Sequence, residues 1–508
     1  METNTKYTLE NRRYVIIGAV VLLVLVFIIR LFYLQVVEND YKAWADSNAF
    51  LKKTLLPSRG MIYDRNDNLL VYNQPAYDVM LIMREIQPFD TLDFCNILSI
   101  TKEQFEKRIA EIKNRRLNPG YSSYVPQVFM NHLSAQECGI LQEKLYKFPG
   151  FYIQNRTIRQ YEYPYAAHVL GNIGQVNRKD IEADDYYVQG DDSGRAGVER
   201  SYEKQLRGEK GVEILLRDVH GRIKGKYDDG ASDVAPVSGK NLKLSLDINL
   251  QAYGEKLMKN KVGSIVMIEP ETGEVLCLVT SPNYDPSLLV GRQRGKNHRM
   301  LEENPQTPLI DRSITGFYPP GSTFKPTQGL IFLQEGVITP STMYTCAHGY
   351  TYSIKRKPAC HGHASPLSLV PALATSCNSF FCWGLHDMLD NRRRYPTVQE
   401  GFEVWKNHLV SMGYGYPLGI DLPGEKRGYI PNSKVYDKLH RRWNSSTIIS
   451  IAIGQGEISA TPLQICNLAA TIANRGYFIT PHVVKEVQDT PLDSLYTQKR
   501  YPTIDSKY

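Results

Sequence analysis

The chain is expected to fold as an α+β protein in three parts: one N-terminal transmembrane helix, a mixed α/β module, and a second α/β domain. Three observations carry this. Tyr14 to Ile29 is a run of sixteen residues without a charge. The 508-residue length and 42% apolar fraction, with 28 Pro and 37 Gly spread along the chain, belong to globular domains and not to a disordered polymer. Finally, the loop-like stretch Asp228-Asp-Gly-Ala-Ser-Asp-Val-Ala-Pro236 precedes Leu244-Ser-Leu-Asp-Ile-Asn-Leu-Gln251, which reads as a strand running into a helix.

After Arg30 the apolar run continues as Leu-Phe-Tyr-Leu-Gln-Val-Val37, so a helix over 14–37 is long enough to cross a bilayer, with Arg30 snorkelling to the interface beside Tyr33. A cleaved signal peptide is the rival reading, because Ala43-Trp-Ala45 fits the small-residue cleavage pattern. That site lies beyond Glu38, Asp40 and Lys42 and behind an overlong apolar core, which argues for an uncleaved anchor. Lys6, Arg12 and Arg13 precede the span and Lys42, Lys52 and Lys53 follow it. A short tail, 1–13, with Arg12-Arg13 at the membrane edge is expected to stay in the cytoplasm, and large domains translocate largely regardless of charge. The bulk is then periplasmic and the protein a single-pass one.

Lys and Arg total 60 against 53 acids, a net +7. The excess is spread out, with no basic helix, zinc-finger spacing or aromatic-interleaved stripe, so nucleic acid is not an expected partner. The first soluble module is placed at 38–236; its Tyr-rich stretches Tyr121–Val125 and Tyr161–Tyr165 are expected at the surface. The second domain, 237–508, opens with Leu244–Gln251 and an apolar hairpin over Ser264–Val279.

Chemistry enters at Tyr-Pro-Pro-Gly-Ser322-Thr-Phe-Lys325-Pro. Pro319, Pro320 and Gly321 make a turn, and Pro326 is tolerated only in a first helical turn, so a helix begins near Ser322 and puts Ser322 and Lys325 on one face. A lysine kept neutral can take the serine's proton as the hydroxyl attacks a carbonyl. The bare spacing recurs at Ser99/Lys102 and Ser201/Lys204, so it needs a second element. Ala-Thr-Ser376-Cys377-Asn378-Ser-Phe-Phe, in a segment that reads as helical, supplies a Ser-x-Asn: Ser376 can relay a proton between Lys325 and a leaving amine, and the Asn378 amide can hold a substrate peptide group and bond the lysine. In that order the two elements match the first two parts of the signature shared by penicillin-binding proteins and class A β-lactamases.

The flanking sequence resembles the same family. Gly263-Ser-Ile-Val-Met-Ile-Glu-Pro-Glu-Thr-Gly and its continuation to Pro286 are similar to the opening hairpin of a penicillin-binding transpeptidase domain, and Gly454-Gln-Gly456-Glu-Ile-Ser-Ala-Thr-Pro462 to a loop and helix start late in it. Pro57-Ser-Arg-Gly-Met-Ile-Tyr-Asp-Arg65 and Gly194-Arg-Ala-Gly-Val-Glu-Arg-Ser-Tyr-Glu-Lys-Gln-Leu-Arg-Gly208 resemble the non-catalytic pedestal of class B members; His168-Val-Leu-Gly-Asn-Ile-Gly174 looks most like the elongation type, penicillin-binding protein 2. The resemblance spans about Arg30 to Asn474 and implies a peptidoglycan D,D-transpeptidase of the inner membrane. Ser322 would attack D-alanyl-D-alanine with Lys325 as base, and β-lactams would acylate the same serine. No cofactor would be required for catalysis. The implied partner is a membrane glycosyltransferase of the shape, elongation, division and sporulation class.

The family's third element, Lys-Thr-Gly, does not occur between Gly456 and Tyr508, where the chain ends in the polar run Gln488 to Tyr508. In the family it supplies a cation for the substrate carboxylate and an oxyanion-hole N–H, and losing one such donor costs about a hundred- to thousand-fold in turnover. Its strand also pairs with the hairpin, which otherwise keeps an open edge. The expectation is therefore a copy truncated at its C-terminus. The alternatives are a catalytically silent scaffold, sensor or polymerase activator, and a D,D-carboxypeptidase or β-lactamase that uses water as acceptor.

Of the eight cysteines, four cluster around histidines: Cys346, Cys360-His361-Gly-His363, Cys377 and Cys382. Cys346, Cys360, His363 and Cys377 can close a tetrahedral zinc site, although their spacing fits no short zinc motif; a disulfide or free buried thiols remain the alternatives. Relatives of the penicillin-binding protein 2 type can carry zinc near the active site. Cys95, Cys138, Cys277 and Cys466 sit in apolar contexts and are expected in the core. His168, Asp64, Glu199 and Asp247 are assigned to structure, and Gly454-Gln-Gly456 to a tight turn that lacks the rest of a phosphate-binding loop.

Overall fold

The computed structural model describes residues 4–33, 50–118, 121–217, 223–351 and 358–508. The first helix runs Asn4–Phe32, and its stretch Arg13–Phe32 is apolar and uncovered by the rest of the chain. Twenty residues at about 1.5 Å each reach about 30 Å, the thickness of a bilayer's hydrocarbon core. Arg30 lies over the Tyr33 ring at 5.8 Å. The end of the expected span, Leu34–Val37, and the candidate cleavage site Ala43–Ala45 lie outside the described residues.

The pedestal is built on the strand Leu69–Leu81, which pairs antiparallel with Phe151–Tyr161 from Val71↔Tyr161 to Leu81↔Phe151 and, through Tyr77–Leu81, with Gln127–Leu133. Helices Thr91–Ile97, Lys102–Lys113 and Ala135–Lys144 start at side-chain caps, Asp90, Thr101 and Ser134, each accepting backbone N–H groups of the first turn. They close over an aromatic core of Phe94, Phe129, Phe148 and Phe151. Tyr161 departs from the surface expectation: it is buried and donates to the Gly171 carbonyl at 2.9 Å, while Tyr163 and Tyr165 are half-buried against the same core. An aromatic ring with one polar end is accommodated inside once that end has a partner.

The blocks Pro57–Arg65 and Gly194–Gly208 are brought together by charge. Glu199, fully buried, lies between Arg59 and Arg159 at 2.7 Å from each, and Arg59 also meets Glu203 at 2.6 Å. Asp64 accepts from the backbone N–H groups of Asn66, Asn68 and Ile248; Asp247 caps the helix Ile248–Leu257; and His168 Nε2 sits 2.8 Å from the Pro308 carbonyl. All four therefore have structural tasks.

The two modules share a sheet. Strand Leu242–Leu244 pairs parallel with Ile62–Tyr63 and antiparallel with Val484–Val487, so a late strand completes a six-stranded sheet begun in the pedestal. Asp421 clasps the junction, accepting from Val483 N, Val484 N and Tyr202 Oη at 2.7, 2.9 and 2.8 Å. The hairpin Gly263–Ile268/Val275–Ser281 is two-stranded among the described residues, with helices Ile248–Leu257 and Pro462–Ala473 packed on it. Beside it stands a helical lobe, Lys325–Gln334, Asn378–Leu389 and Val398–Ser411, around Phe324, Phe332, Phe380, Trp405 and Tyr414.

The polar run Gln488–Tyr508 is not a loose tail. Lys499–Arg500 pairs with Phe478–Ile479, Ile504 packs on the helical lobe, and Thr503 Oγ1 lies 2.7 Å from His408 Nδ1, whose Nε2 meets Glu335 at 2.9 Å. Polar residues dock here through hydrogen bonds rather than apolar periodicity, which is why the sequence pattern does not reveal it. All eight cysteines are free thiols; Cys95, Cys138 and Cys277 are buried and Cys466 is partly so, packed on the apolar core.

Candidate active site

Ser322 lies in a 3₁₀ turn, Gly321–Phe324, that runs directly into the helix Lys325–Gln334, with Pro326 in its first turn. A 3₁₀ entrance tightens the spacing so that residues three apart nearly eclipse. The turn is held by the late loop: Gly321 N donates to Gly454 O at 2.8 Å, and a Cβ on Gly454 would fall 2.2 Å from the Gly321 carbonyl oxygen. Gly454 has φ +71°, so both its conformation and the close approach call for glycine.

Ser376 is not helical. It has φ +51° and sits in a break between the helices Leu369–Ala374 and Asn378–Leu389, with Cys377 capping the second. The left-handed residue turns the chain so that Ser376 and Asn378 both face Lys325, which a continuous helix would not allow for residues two apart. Lys325 Nζ, on a residue 1% exposed, donates to Asn378 Oδ1 at 2.6 Å, Ser376 O at 2.7 Å and Ser376 Oγ at 2.9 Å. Ser376 Oγ in turn is 2.9 Å from Ser322 Oγ. Lys325 makes no hydrogen bond to Ser322 among the described residues, so Ser376 stands between nucleophile and base. Asn378 Nδ2 donates to the Ala359 carbonyl at 2.7 Å, leaving one N–H on that amide for a substrate.

Burial pushes the Lys325 ammonium down from its ordinary 10.5, with charge at Cys360, Cys377 and Cys382 opposing. Phe381, which the sequence reading passed over, lies beneath the amine, its ring centre 5.6 Å from Nζ. Its spacing from Asn378 along one helix face was the available signal.

Behind this chain of hydroxyls, Cys346, Cys360, His363 and Cys377 offer ligand atoms that all lie within 4.8 Å of one another. The set fits a tetrahedral metal on three counts. Cys360 Sγ and Cys377 Sγ are 3.9 Å apart, close to the edge of about 3.8 Å expected for zinc–sulfur bonds of about 2.3 Å. His363 Nε2 is buried without a partner among the described residues while Nδ1 meets the Ala364 carbonyl at 2.7 Å, the arrangement that leaves Nε2 as a free donor of its lone pair. And Cys360 Sγ accepts from Asn378 N and Ser379 N at 3.1 and 3.3 Å, as a thiolate would. Without a cation, burial drives Cys360 up and Cys377 up to about 12, a cost that a metal would reverse. Cys382 is buried outside the set.

The profile of the penicillin-binding protein dimerisation domain matches residues 54–244, and that of the penicillin-binding protein transpeptidase domain residues 263–507. A peptidoglycan D,D-transpeptidase MrdA from Acinetobacter baumannii is 32% identical, over 94% of this chain and 69% of its own length. The chain belongs to the class B penicillin-binding proteins. Its Escherichia coli relative of the same name is 29% identical, over 98% of this chain and 78% of that protein. Among solved structures, the complex between penicillin-binding protein PBP2 and MreC from Helicobacter pylori superposes with a TM-score of 0.70 at 27% identity, covering 88% of this chain and 82% of that one. In this penicillin-binding protein the hydroxyl chain lies in the transpeptidase domain, and the Arg59–Glu199–Arg159 cluster in the dimerisation domain.

Proposed function

We propose that the chain is a peptidoglycan D,D-transpeptidase of cell-wall elongation, inhibited by β-lactams, anchored in the inner membrane by residues 14–37 with its catalytic part in the periplasm. The observation that carries the reading is the hydrogen-bonded series Ser322–Ser376–Lys325. With Lys325 neutral, its amine donates to Ser376 O and Asn378 Oδ1 and turns its lone pair to the Ser376 hydroxyl. As Ser322 Oγ attacks the carbonyl carbon of D-alanyl-D-alanine, its proton passes to Ser376 and that of Ser376 to Lys325. The C–N bond then breaks, the leaving D-alanine amine takes the proton back along the same series, and an acyl ester remains on Ser322. An amine on a neighbouring stem peptide attacks this ester, and its proton returns through Ser376 to Ser322 Oγ.

Cys346, Cys360, His363 and Cys377 would hold a structural zinc ion. Because Cys377 lies between Ser376 and Asn378, such an ion would brace the left-handed turn that aims both at Lys325. The partner expected at the anchor and pedestal is a membrane glycosyltransferase of the shape, elongation, division and sporulation class. That the H. pylori relative was solved in complex with MreC supports assembly with a further protein.

The test is intact-mass spectrometry of the chain after incubation with benzylpenicillin. One penicillin added, mapped to Ser322 and absent from Ser322→Ala, is the expected result. No adduct on the folded wild-type chain would favour the silent-scaffold reading.

A further inference from the structure

A cavity of about 450 Å³ opens between the two domains and shares no residue with the Ser322 site. The pedestal strands Gln127–Leu133 and Phe151–Tyr161 line one side, and the transpeptidase segment 289–295 the other. Its size falls within the range of small-molecule clefts. Arg108, Arg159, Arg292 and Arg294 line it against one carboxylate, Asp192, which Arg156 and His132 already hold at 3.2 Å each.

Three of those arginines are answered: Arg108 by Glu111, Arg159 by Glu199 and Arg292 by Glu137. Arg294 is not. It donates to the Ile173 carbonyl at 2.7 Å and Asn172 Oδ1 at 2.9 Å and has no carboxylate within ion-pair distance among the described residues. Its guanidinium is seated on Gly174, where a Cβ would lie 2.5 Å from the central carbon. Burial and the neighbouring Arg195 both push its pKa down, with charge at Asp192 opposing.

Two further observations point to an occupant. Arg294 opens the helix Arg294–Glu302, which has no acid in its first turn, and Lys296 and Arg299, with Glu303 as the one acid, line an adjoining hollow. This is a basic helix that the overall charge count conceals. Cations at the positive end of a helix oppose its dipole, so they do not serve the helix itself. Independently, Asn131, only 8% exposed, lines the cavity with Nδ2 bonded to the Gly190 carbonyl at 3.2 Å and Oδ1 without a partner among the described residues. A buried orphan acceptor calls for a donor. An occupant that answers both residues carries a negative charge and an N–H or O–H group together.

We propose that this inter-domain cavity is a second, non-catalytic site for an acidic peptide, with a carboxylate against Arg294 and a backbone N–H on Asn131 Oδ1. The peptide is the carboxylate-bearing stem of the wall polymer, an assignment that rests on the transpeptidase reading. The probe is a disaccharide-tetrapeptide released from peptidoglycan by muramidase, titrated calorimetrically into full-length, detergent-solubilised Ser322→Ala protein. Saturable binding is expected that weakens about tenfold or more in Asn131→Leu and in Arg294→Gln, consistent with loss of a charge-assisted contact, and that disappears when the probe's carboxylates are amidated. Unchanged melting temperatures and, in the Ser322 background, unchanged penicillin adducts show that both variants fold. Equal binding by the variants, or none by the parent, overturns the proposal. Tighter binding of an acidic peptide unrelated to the wall overturns the stem assignment. A penicillin adduct without muropeptide binding refutes the cavity site alone, whereas loss of the adduct refutes the transpeptidase reading.

Discussion

Ser376→Ala is the change that most directly probes the proton path. The Ser322–Ser376 and Ser376–Lys325 hydrogen bonds, 2.9 Å each, are in series, and no other acceptor for the Ser322 proton exists among the described residues. Alanine keeps the Cβ and therefore the strain already present at φ +51°, so the turn should survive, less about 1–3 kcal/mol for the hydrogen bond lost by the buried lysine. Loss of positioned proton transfer costs about a hundred- to ten-thousand-fold in rate, or about 3–5 kcal/mol of barrier at about 1.36 kcal/mol per decade. The assay is the second-order rate constant of acylation by a fluorescent penicillin, measured on the wild type, Ser376→Ala, Lys325→Ala and the double variant, with melting temperatures alongside. If the residues act as one relay, the double variant is no slower than the worse single variant. A Ser376→Ala protein acylated within about threefold of wild type would refute the relay and mean that Lys325 reaches Ser322 directly.

Further outcomes are expected. Acylation should rise with pH and level off at a midpoint below the ordinary lysine value of 10.5, because burial lowers the Lys325 pKa and only the neutral amine accepts a proton; a flat profile from acid to alkaline pH excludes Lys325 as the base. Purified protein should hold about one equivalent of zinc by elemental analysis, and Cys377→Ser should lose it and slow acylation by loosening Ser376 and Asn378; less than about a tenth of an equivalent in metal-replete protein sinks the metal site. Glu199→Ala leaves Arg59 and Arg159 buried without their shared counter-ion, and the urea transition of the pedestal should lose about 3–5 kcal/mol; a loss under about 1 kcal/mol would mean that the cluster is not paired as described.

The nucleophile and its base were legible in the sequence because Pro319, Pro320, Gly321 and Pro326 constrain a local turn, and a local turn is enough to set two side chains three residues apart. Ser376 and Asn378 were found as residue types, and Asn378 does open a helix, but Ser376 was misplaced as conformation: nothing in Thr-Ser-Cys-Asn announces a left-handed residue, which is imposed by Cys377 capping the next helix and by the bonds to Lys325. The cysteine and histidine cluster was readable from composition, yet Cys346 and Cys377 are brought to Cys360 only by the packing of three separate segments.

The sequence by itself determined what depends on neighbours along the chain: the apolar helix long enough for a bilayer, the hairpin, the capped helices and the nucleophile's turn. Tertiary structure alone decided what depends on residues far apart. It placed Ser376 between Ser322 and Lys325, completed the pedestal sheet with Val484–Val487, docked Thr503 on His408, and brought to one cavity an Arg294 without a carboxylate and an Asn131 Oδ1 without a donor among the described residues. The physical reason is range. Backbone sterics and periodic apolarity act within a few residues, whereas hydrogen bonds and charge pairs between distant segments form only after the apolar cores have fixed where those segments lie.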